Sequence, residues 1–389
     1  MSDGIRSIVG VPTDVTAFVG RTLTGPADLP TAVFSFAEFE GLYGGLWSES
    51  PLSHAVGQFF ANGGREALVC RVRGTDDATP ITDDDIADPA LQAGHAGIWM
   101  LDHADAFNIL CIPPLGPGRD IGRLTWATAA AFARRRRAMV LVDPPGEWKS
   151  ATDITPAALD GIIADDDDRA NAAIYFPAIL APDPDGNNEP RPFPPSGAVA
   201  GIYARTDAQR GVWKAPAGLD ALLLGVQGLA VQLTDAENGV LNPQAVNCLR
   251  TFPLTGSVVW GARTMLGRDT EPTDWKYVPV RRLGLFIEES IDRGTRWAVS
   301  EPNDEPLWAQ LRQTVADFLH DLFRRGALQG QTPREAYFVK CDSETTTQAD
   351  IEMGLVNILV GFAPLKPGEF VILRIQHKCR PPEPLLLAS

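Results

Sequence analysis

Between residues 107 and 176 the chain alternates short apolar runs with longer amphipathic stretches, and few folds accept that alternation. Residues 107–112 read as a strand closed by Pro113-Pro114, and residues 121–137 as a helix. Residues 138–142 form a second apolar strand ending at Asp143-Pro144-Pro145-Gly146. A helix over 155–164 and a third strand over 172–176 follow. Strands this short and apolar, joined by helices, pair in parallel, because a helical crossover returns the chain to the same end of a sheet. The expected fold class is mixed α/β, with helices covering a mainly parallel sheet.

The flanks add further elements. Residues 14–20 and 66–73 read as strands. Residues 36–43 and 53–62 read as helices stopped by Gly44-Gly45 and Gly63-Gly64. Residues 177–217 are rich in Pro, Gly, Asn and Arg and are expected to be irregular, which in a compact domain points to a segment that binds or wraps something. Strands are expected at 257–262 and 276–280 and a helix at 281–293. A long helix over 305–325, capped by Asn303 or Asp304, carries Leu307, Leu311, Val315, Phe318, Leu319 and Leu322 on one stripe. Strands at 336–341 and 355–362, with a short helix at 347–353 between them, lead to a last apolar strand at 369–376. Left as a bare edge it would aggregate, so it must pair inside its own sheet or add to a neighbour's.

The formal charge is −15, from 34 basic and 49 acidic residues. Nearly all of it lies in two places: residues 75–90 carry six Asp and no base, and residues 150–189 carry nine acids against Arg169. The two stretches read as solvated excursions around a near-neutral remainder. That balance argues against nucleic-acid binding, which needs a basic field. No apolar run approaches the ~18 residues of a spanning helix, so no membrane insertion is expected, and the N-terminus lacks a secretory signal pattern. Five cysteines stand singly in apolar surroundings, which predicts buried thiols and neither disulfides nor zinc.

A search for chemistry returns no catalytic set. There is no phosphate-binding GxxxxGK[ST], no GxGxxG after a strand and no GxSxG elbow. Ser196 follows two prolines and reads as part of a turn. Asp102-His103-Ala104-Asp105 reads as a polar turn, and Asp165 to Asp168 lack the pattern of a calcium loop. Asp143, at the carboxyl end of a strand, is the most enzyme-like position, because open α/β sheets place ligands there; no His, Lys or Gly-rich partner accompanies it. The expectation is a non-enzyme with no catalytic residue, cofactor or metal. An α/β enzyme with a cleft near Asp143 and residues 177–217 as a lid is the alternative from another class.

A series of motifs carries a resemblance. Gly10-Val11-Pro12-Thr13, Phe18-Val19-Gly20-Arg21-Thr22 and Gln58-Phe59-Phe60-Ala61-Asn62-Gly63-Gly64 open it. Ala200-Gly201-Ile202-Tyr203-Ala204-Arg205-Thr206-Asp207 and Arg210-Gly211-Val212-Trp213-Lys214-Ala215-Pro216 form its centre. Trp260-Gly261-Ala262-Arg263-Thr264, Val280-Arg281-Arg282-Leu283 and Glu301-Pro302-Asn303-Asp304 continue it, and Glu369-Phe370-Val371-Ile372 closes it. In this order and over nearly the whole chain, they resemble contractile tail sheath proteins of phages and phage-like injection systems.

The resemblance implies a structural subunit that polymerises as stacked, hexameric rings around an inner tube and contracts to drive the tube through a target envelope. Inner tube, baseplate and cap proteins would be its partners. Assembly would occur in the bacterial cytoplasm, in a particle either released or retained. It implies a core built from residues 1–74 and 196–366, an outward-facing insert at 75–195 and a linking arm at 367–389. The inter-subunit strand would hold Phe370, Val371, Ile372, Leu373, Arg374 and Ile375. Ile5, Ile8 and Val9 are the large apolar residues available to an N-terminal arm shorter than the family's usual one, which also suits a baseplate or cap paralogue. A tube-facing helix surface would present Gln310, Arg312, Gln313, Asp317, Arg324 and Arg325.

Overall fold

A computed structural model of the protein describes residues 7–183, 188–365 and 371–378, the last as backbone. The chain divides into two compact units, Pro12–Arg282 and Leu283–Ser389 with Met1–Val11. The strands of the larger unit are β1 (Thr16–Gly20), β2 (Thr31–Val33), β3 (Ala67–Arg71), β4 (Ile109–Cys111), β5 (Met139–Val142) and β6 (Ala172–Phe176). After them come β7 (Ile179–Pro182), β8 (Pro190–Phe193), β9 (Gly228–Leu229), β10 (Val246–Phe252) and β11 (Gly256–Val259).

Eight of these strands form one sheet in the order β11-β10-β6-β5-β4-β1-β3-β2. From β10 to β3 every pairing is parallel, with Val140 opposite Ala172 and Thr16 opposite both Ala67 and Ile109. Only the outermost β11 and β2 run antiparallel. Every residue of β1, β4, β5 and β6 is buried, as a sheet covered on both faces requires. The helix Arg123–Arg135 supplies part of that cover through Trp126, Ala129, Ala130, Phe132 and Ala133. The fold is mixed α/β. Its sheet, however, runs across the expected domain limits: β1 from 1–74 pairs with β4 from 75–195, and β6 with β10 from 196–366. The compact units part between residues 11 and 12 and between 282 and 283.

Residues 177–217 are far from irregular. β7 and β8 form a hairpin, β9 completes a second sheet in the order β8-β7-β9, and Ser196–Arg210 is a 15-residue helix. The sequence hid this helix because it is buried on all sides from Ser196 to Ala204, so it shows no one-sided apolar stripe. It lies against the helix Pro51–Ala61 at a distance only glycine permits. A Cβ on Gly197 would stand 2.2 Å from the Ala55 carbonyl oxygen, and one on Gly201 2.4 Å from that of Phe59. Here the glycines serve close packing rather than a loop.

The acidic stretches are also less free than expected. Asp83 accepts hydrogen bonds from Gly122 N (2.7 Å) and Thr125 Oγ1, fastening the start of the helix Arg123–Arg135. Asp168 pairs with Arg134 at 2.8 Å, and the buried Arg169 reaches Asp160, Asp166 and Glu271. Cys70, Cys111, Cys248 and Cys341 are buried free thiols, while Cys379 lies outside the described residues.

In the smaller unit β12 (Tyr337–Lys340), β13 (Leu355–Phe362) and β14 (Val371–Lys378) form an antiparallel sheet in that order. Along β13, Val356, Ile358 and Val360 are buried and alternate with half-buried residues, the pattern of a sheet with one covered face. The helix Glu305–Arg324 buries its whole expected stripe and is capped by Asp304, whose side chain accepts from Leu307 N. Residues 276–280 do not make a strand. Tyr277 forms a lone bridge to Arg263, and the helix Val278–Gly294 starts at the next residue, with Pro279 in a first turn that needs no N–H from it. No helix among the described residues is long and apolar enough to cross a membrane.

Candidate assembly interface

The expected enzyme-like position is built first from the larger unit. Asp143 follows β5 and receives Ser196 N at 2.9 Å and Ser196 Oγ at 2.7 Å. The residue before Ser196 is Pro195, which has no side-chain oxygen to cap the helix Ser196–Arg210. The Asp143 carboxylate does that work from the neighbouring strand end, where it also meets the positive end of the helix dipole. Both residues are buried, at 5% and 1% exposure. Burial pushes the Asp143 pKa up to about 7, against the two Ser196 donors, and Asp120 pushes it in the same direction as burial. The arrangement fastens a strand to a helix, and Ser196 Oγ donates its proton to the carboxylate rather than being freed as a nucleophile.

A second buried polar group was not singled out as functional from sequence. Arg282 donates to Asp207 through two nitrogens at 2.9 and 2.6 Å and to the Thr13 carbonyl at 2.8 Å. Thr13 Oγ1 donates to the same carboxylate at 2.7 Å, and both charged side chains are 3% exposed. Burial works against the Arg282 charge, but Asp207 outweighs it and raises the Arg282 pKa. The guanidinium also covers the ring of Tyr203, whose hydroxyl bonds that of Tyr175. Thr13 and Arg282 sit where the chain enters and leaves this unit, so one ion pair pins both ends to the helix Ser196–Arg210. The available signals were the runs Thr206-Asp207 and Arg281-Arg282.

The expected contact residues fall in the smaller unit. β14 holds Val371, Ile372, Leu373, Arg374 and Ile375, opposite Phe362, Gly361, Val360, Leu359 and Ile358 of β13; Phe370 lies outside the described residues. This strand was expected either centrally in its own sheet or in a neighbour's, and it stands instead at the margin of its own. Its eight residues pair with β13, and among the described residues no strand occupies its other side. The turn Arg296–Ser300 approaches it.

Ile5 lies outside the described residues, Val9 is 79% exposed, and Ile8 rests on Gly294, where a Cβ would come within 2.6 Å of it. Of the helix surface, Gln310, Gln313, Asp317 and Arg324 are exposed, with Gln313 bonded to Asp317 at 2.7 Å. Arg312 is partly committed to Glu305, at 2.7 Å, and to the Cys341 carbonyl. Arg325 caps the helix and lies 3.8 Å from Asp321.

This architecture has counterparts. The chain of the contracted sheath complex of the extracellular contractile injection system PVC is 29% identical, with TM-score 0.74 over 96% of this chain and 94% of that one. The contracted helical sheath of the anti-feeding prophage is 30% identical, with TM-score 0.73 over 96% of both chains. The phage tail sheath protein central domain matches residues 102–265, and the phage tail sheath C-terminal domain residues 270–378.

The chain belongs to the phage tail sheath family. A chain from the anti-feeding prophage baseplate is 28% identical, with TM-score 0.72 over 96% of this chain and 95% of that one. Tail sheath proteins of Salmonella phage ViI and Enterobacteria phage T4 align at 27% and 25% identity over 42% and 56% of this chain. Those alignments span only a quarter and a third of the two phage proteins. Within this sheath fold, Asp143, Ser196, Asp207 and Arg282 are all spent on holding one helix. Among the described residues, β14 ends its sheet and Gln310, Gln313, Asp317 and Arg324 lie exposed on the helix Glu305–Arg324.

Proposed function

We propose that this protein is the sheath subunit of a contractile injection machine, stacking as hexameric rings around an inner tube and contracting to drive that tube forward. The observation that carries the reading is the margin of β14. An eight-residue strand with no strand on one side among the described residues presents a row of backbone donors and acceptors that a neighbouring subunit can satisfy by strand addition. Such backbone links tolerate rearrangement of side-chain contacts, so subunits shift between two packed arrangements without separating. Gln310, Gln313, Asp317 and Arg324, exposed on one helix, form the polar surface proposed to meet the tube, with Arg312 and Arg325 at its margins. The exposed acids Asp76, Asp77, Asp84, Asp88, Asp165, Asp166 and Asp167 are proposed to face outward and keep the polymer dispersed. Supporting the reading are the two contracted sheaths of similar fold.

The test is electron microscopy of the chain expressed alone and with its tube protein. Long tubes or ring stacks are expected, and their loss on deleting residues from Glu369 onward, with the fold retained by circular dichroism. Normal tubes from that deletion would overturn the strand link. A second reading, a sheath-like baseplate or cap component, is favoured by the anti-feeding prophage baseplate chain. It predicts single rings that never lengthen.

A further inference from the structure

The larger unit contains a cavity of about 450 Å³ at the carboxyl end of the helix Ser196–Arg210, lined among others by Arg205, Arg210, Lys214, Asp220, Leu222 and Leu224. Its walls are held in place. Arg205 donates to the carbonyls of Asn62 (3.2 Å) and Leu222 (2.7 Å), and Asn62 holds Leu224 through bonds of 2.8 and 3.1 Å. Gly211, at φ +92°, turns the chain so closely that a Cβ there would strike the Trp213 ring at 2.5 Å. A preformed concave site of this size suits a protruding side chain or short segment.

Its charge is opposite to the net charge of the chain. Three cations face one carboxylate, in a protein of net charge −15. Arg205 bonds carbonyls only, Lys214 Nζ reaches the Ala215 carbonyl at 3.3 Å, and Arg210 has no carboxylate partner among the described residues. Burial pushes the Arg205 pKa down, as expected of a guanidinium short of counter-charge. Leu224, which lines the cavity with the cations, is 42% exposed.

We propose that this cavity is a docking site for a carboxylate-bearing segment of a second copy of the chain, one or more acidic side chains entering between Arg205, Arg210 and Lys214 with an apolar neighbour against Leu222 and Leu224. Charge complementarity selects the occupant: a chain with 49 acidic residues supplies carboxylates at high local concentration once copies assemble. The inference rests on the sheath reading for that assembly. Contact would weaken with salt, because the site is partly open to water.

The test uses full-length chain mixed from unlabelled and ¹⁵N-labelled stocks, assembled and then treated with a carbodiimide, which joins an amine to a touching carboxylate. The expected product is a peptide containing Lys214 coupled to an Asp or Glu peptide of the opposite isotope label. Lys214→Arg, which has no amine for the carbodiimide to couple, should abolish that product. The pair Arg210→Glu with Lys214→Glu should cut the pelletable polymer at least tenfold, with the melting curve unchanged. Particles without a mixed-label crosslink at Lys214, or with Lys214 coupled only to a different protein, would overturn the inference. Absence of particles from the unaltered chain would instead remove the sheath reading beneath it.

Discussion

The eight-stranded sheet and the sheet β12-β13-β14 differ in how their edges end. In the larger unit six parallel strands are flanked by short antiparallel ones, β11 of four residues and β2 of three, which end the pairing on each side. In the smaller unit the marginal strand β14 is eight residues long, as long as the β13 it pairs with. A wide sheet ended by short strands offers little edge for further pairing, whereas a narrow one ended by a long strand offers more. In the proposed sheath, the first region holds the fold and the second makes the contacts.

That contrast is sharpened most by attacking the Arg282–Asp207 pair. Asp207→Ala leaves a buried guanidinium without its charge partner, which should cost about 3–5 kcal/mol in urea unfolding. Amide exchange should quicken in β1 and β4 to β6 more than in β12 and β13. Equal quickening everywhere would break the distinction between the two regions. A smaller loss should follow Gly197→Val. The side chain must displace the backbone of the helix Pro51–Ala61, and overpacking of this kind costs about 1–3 kcal/mol.

A pH dependence separates the regions by a different property. The folded larger unit binds the Asp143 proton up to about pH 7, whereas an ordinary aspartate titrates near 3.8. Folding therefore takes up a proton between these values. Stability declines as pH rises through that window, by up to about 1.4 kcal/mol per pH unit, and is level above it. Asp143→Asn should flatten this slope, measured as urea midpoints at about pH 5 and about pH 8. A slope unchanged by the substitution would show that Asp143 is not its source. The smallest effect is in the smaller unit: Asp304→Ala removes the cap on Leu307 N and should lower stability by about 1 kcal/mol.

Much of the architecture was legible because its periodicities are strong. The alternation from residue 107 to 176 announced parallel strands, and Leu307 to Leu322 announced an amphipathic helix whose first and last residues lie within one position of those expected. The helix Ser196–Arg210 was hidden because a helix buried all round has no polar face to set its period, and its glycines look like turn residues until a second helix is seen against them. The acidic runs read as solvated because composition cannot reveal that Asp83 caps another helix or that Asp168 meets Arg134.

What the amino-acid order determined alone was the class of fold, the sheath resemblance and the presence of a terminal strand that needed a partner, since these follow from local pattern and ordered motifs. Tertiary structure decided which polar residues are brought together. Thr13, Asp207 and Arg282 are far apart in the chain, as are Asp143 and Ser196, and only folding takes them out of water at bonding distance. It also decided that β14 lies at a margin rather than in the middle, because strand order depends on long-range pairing that no local pattern encodes.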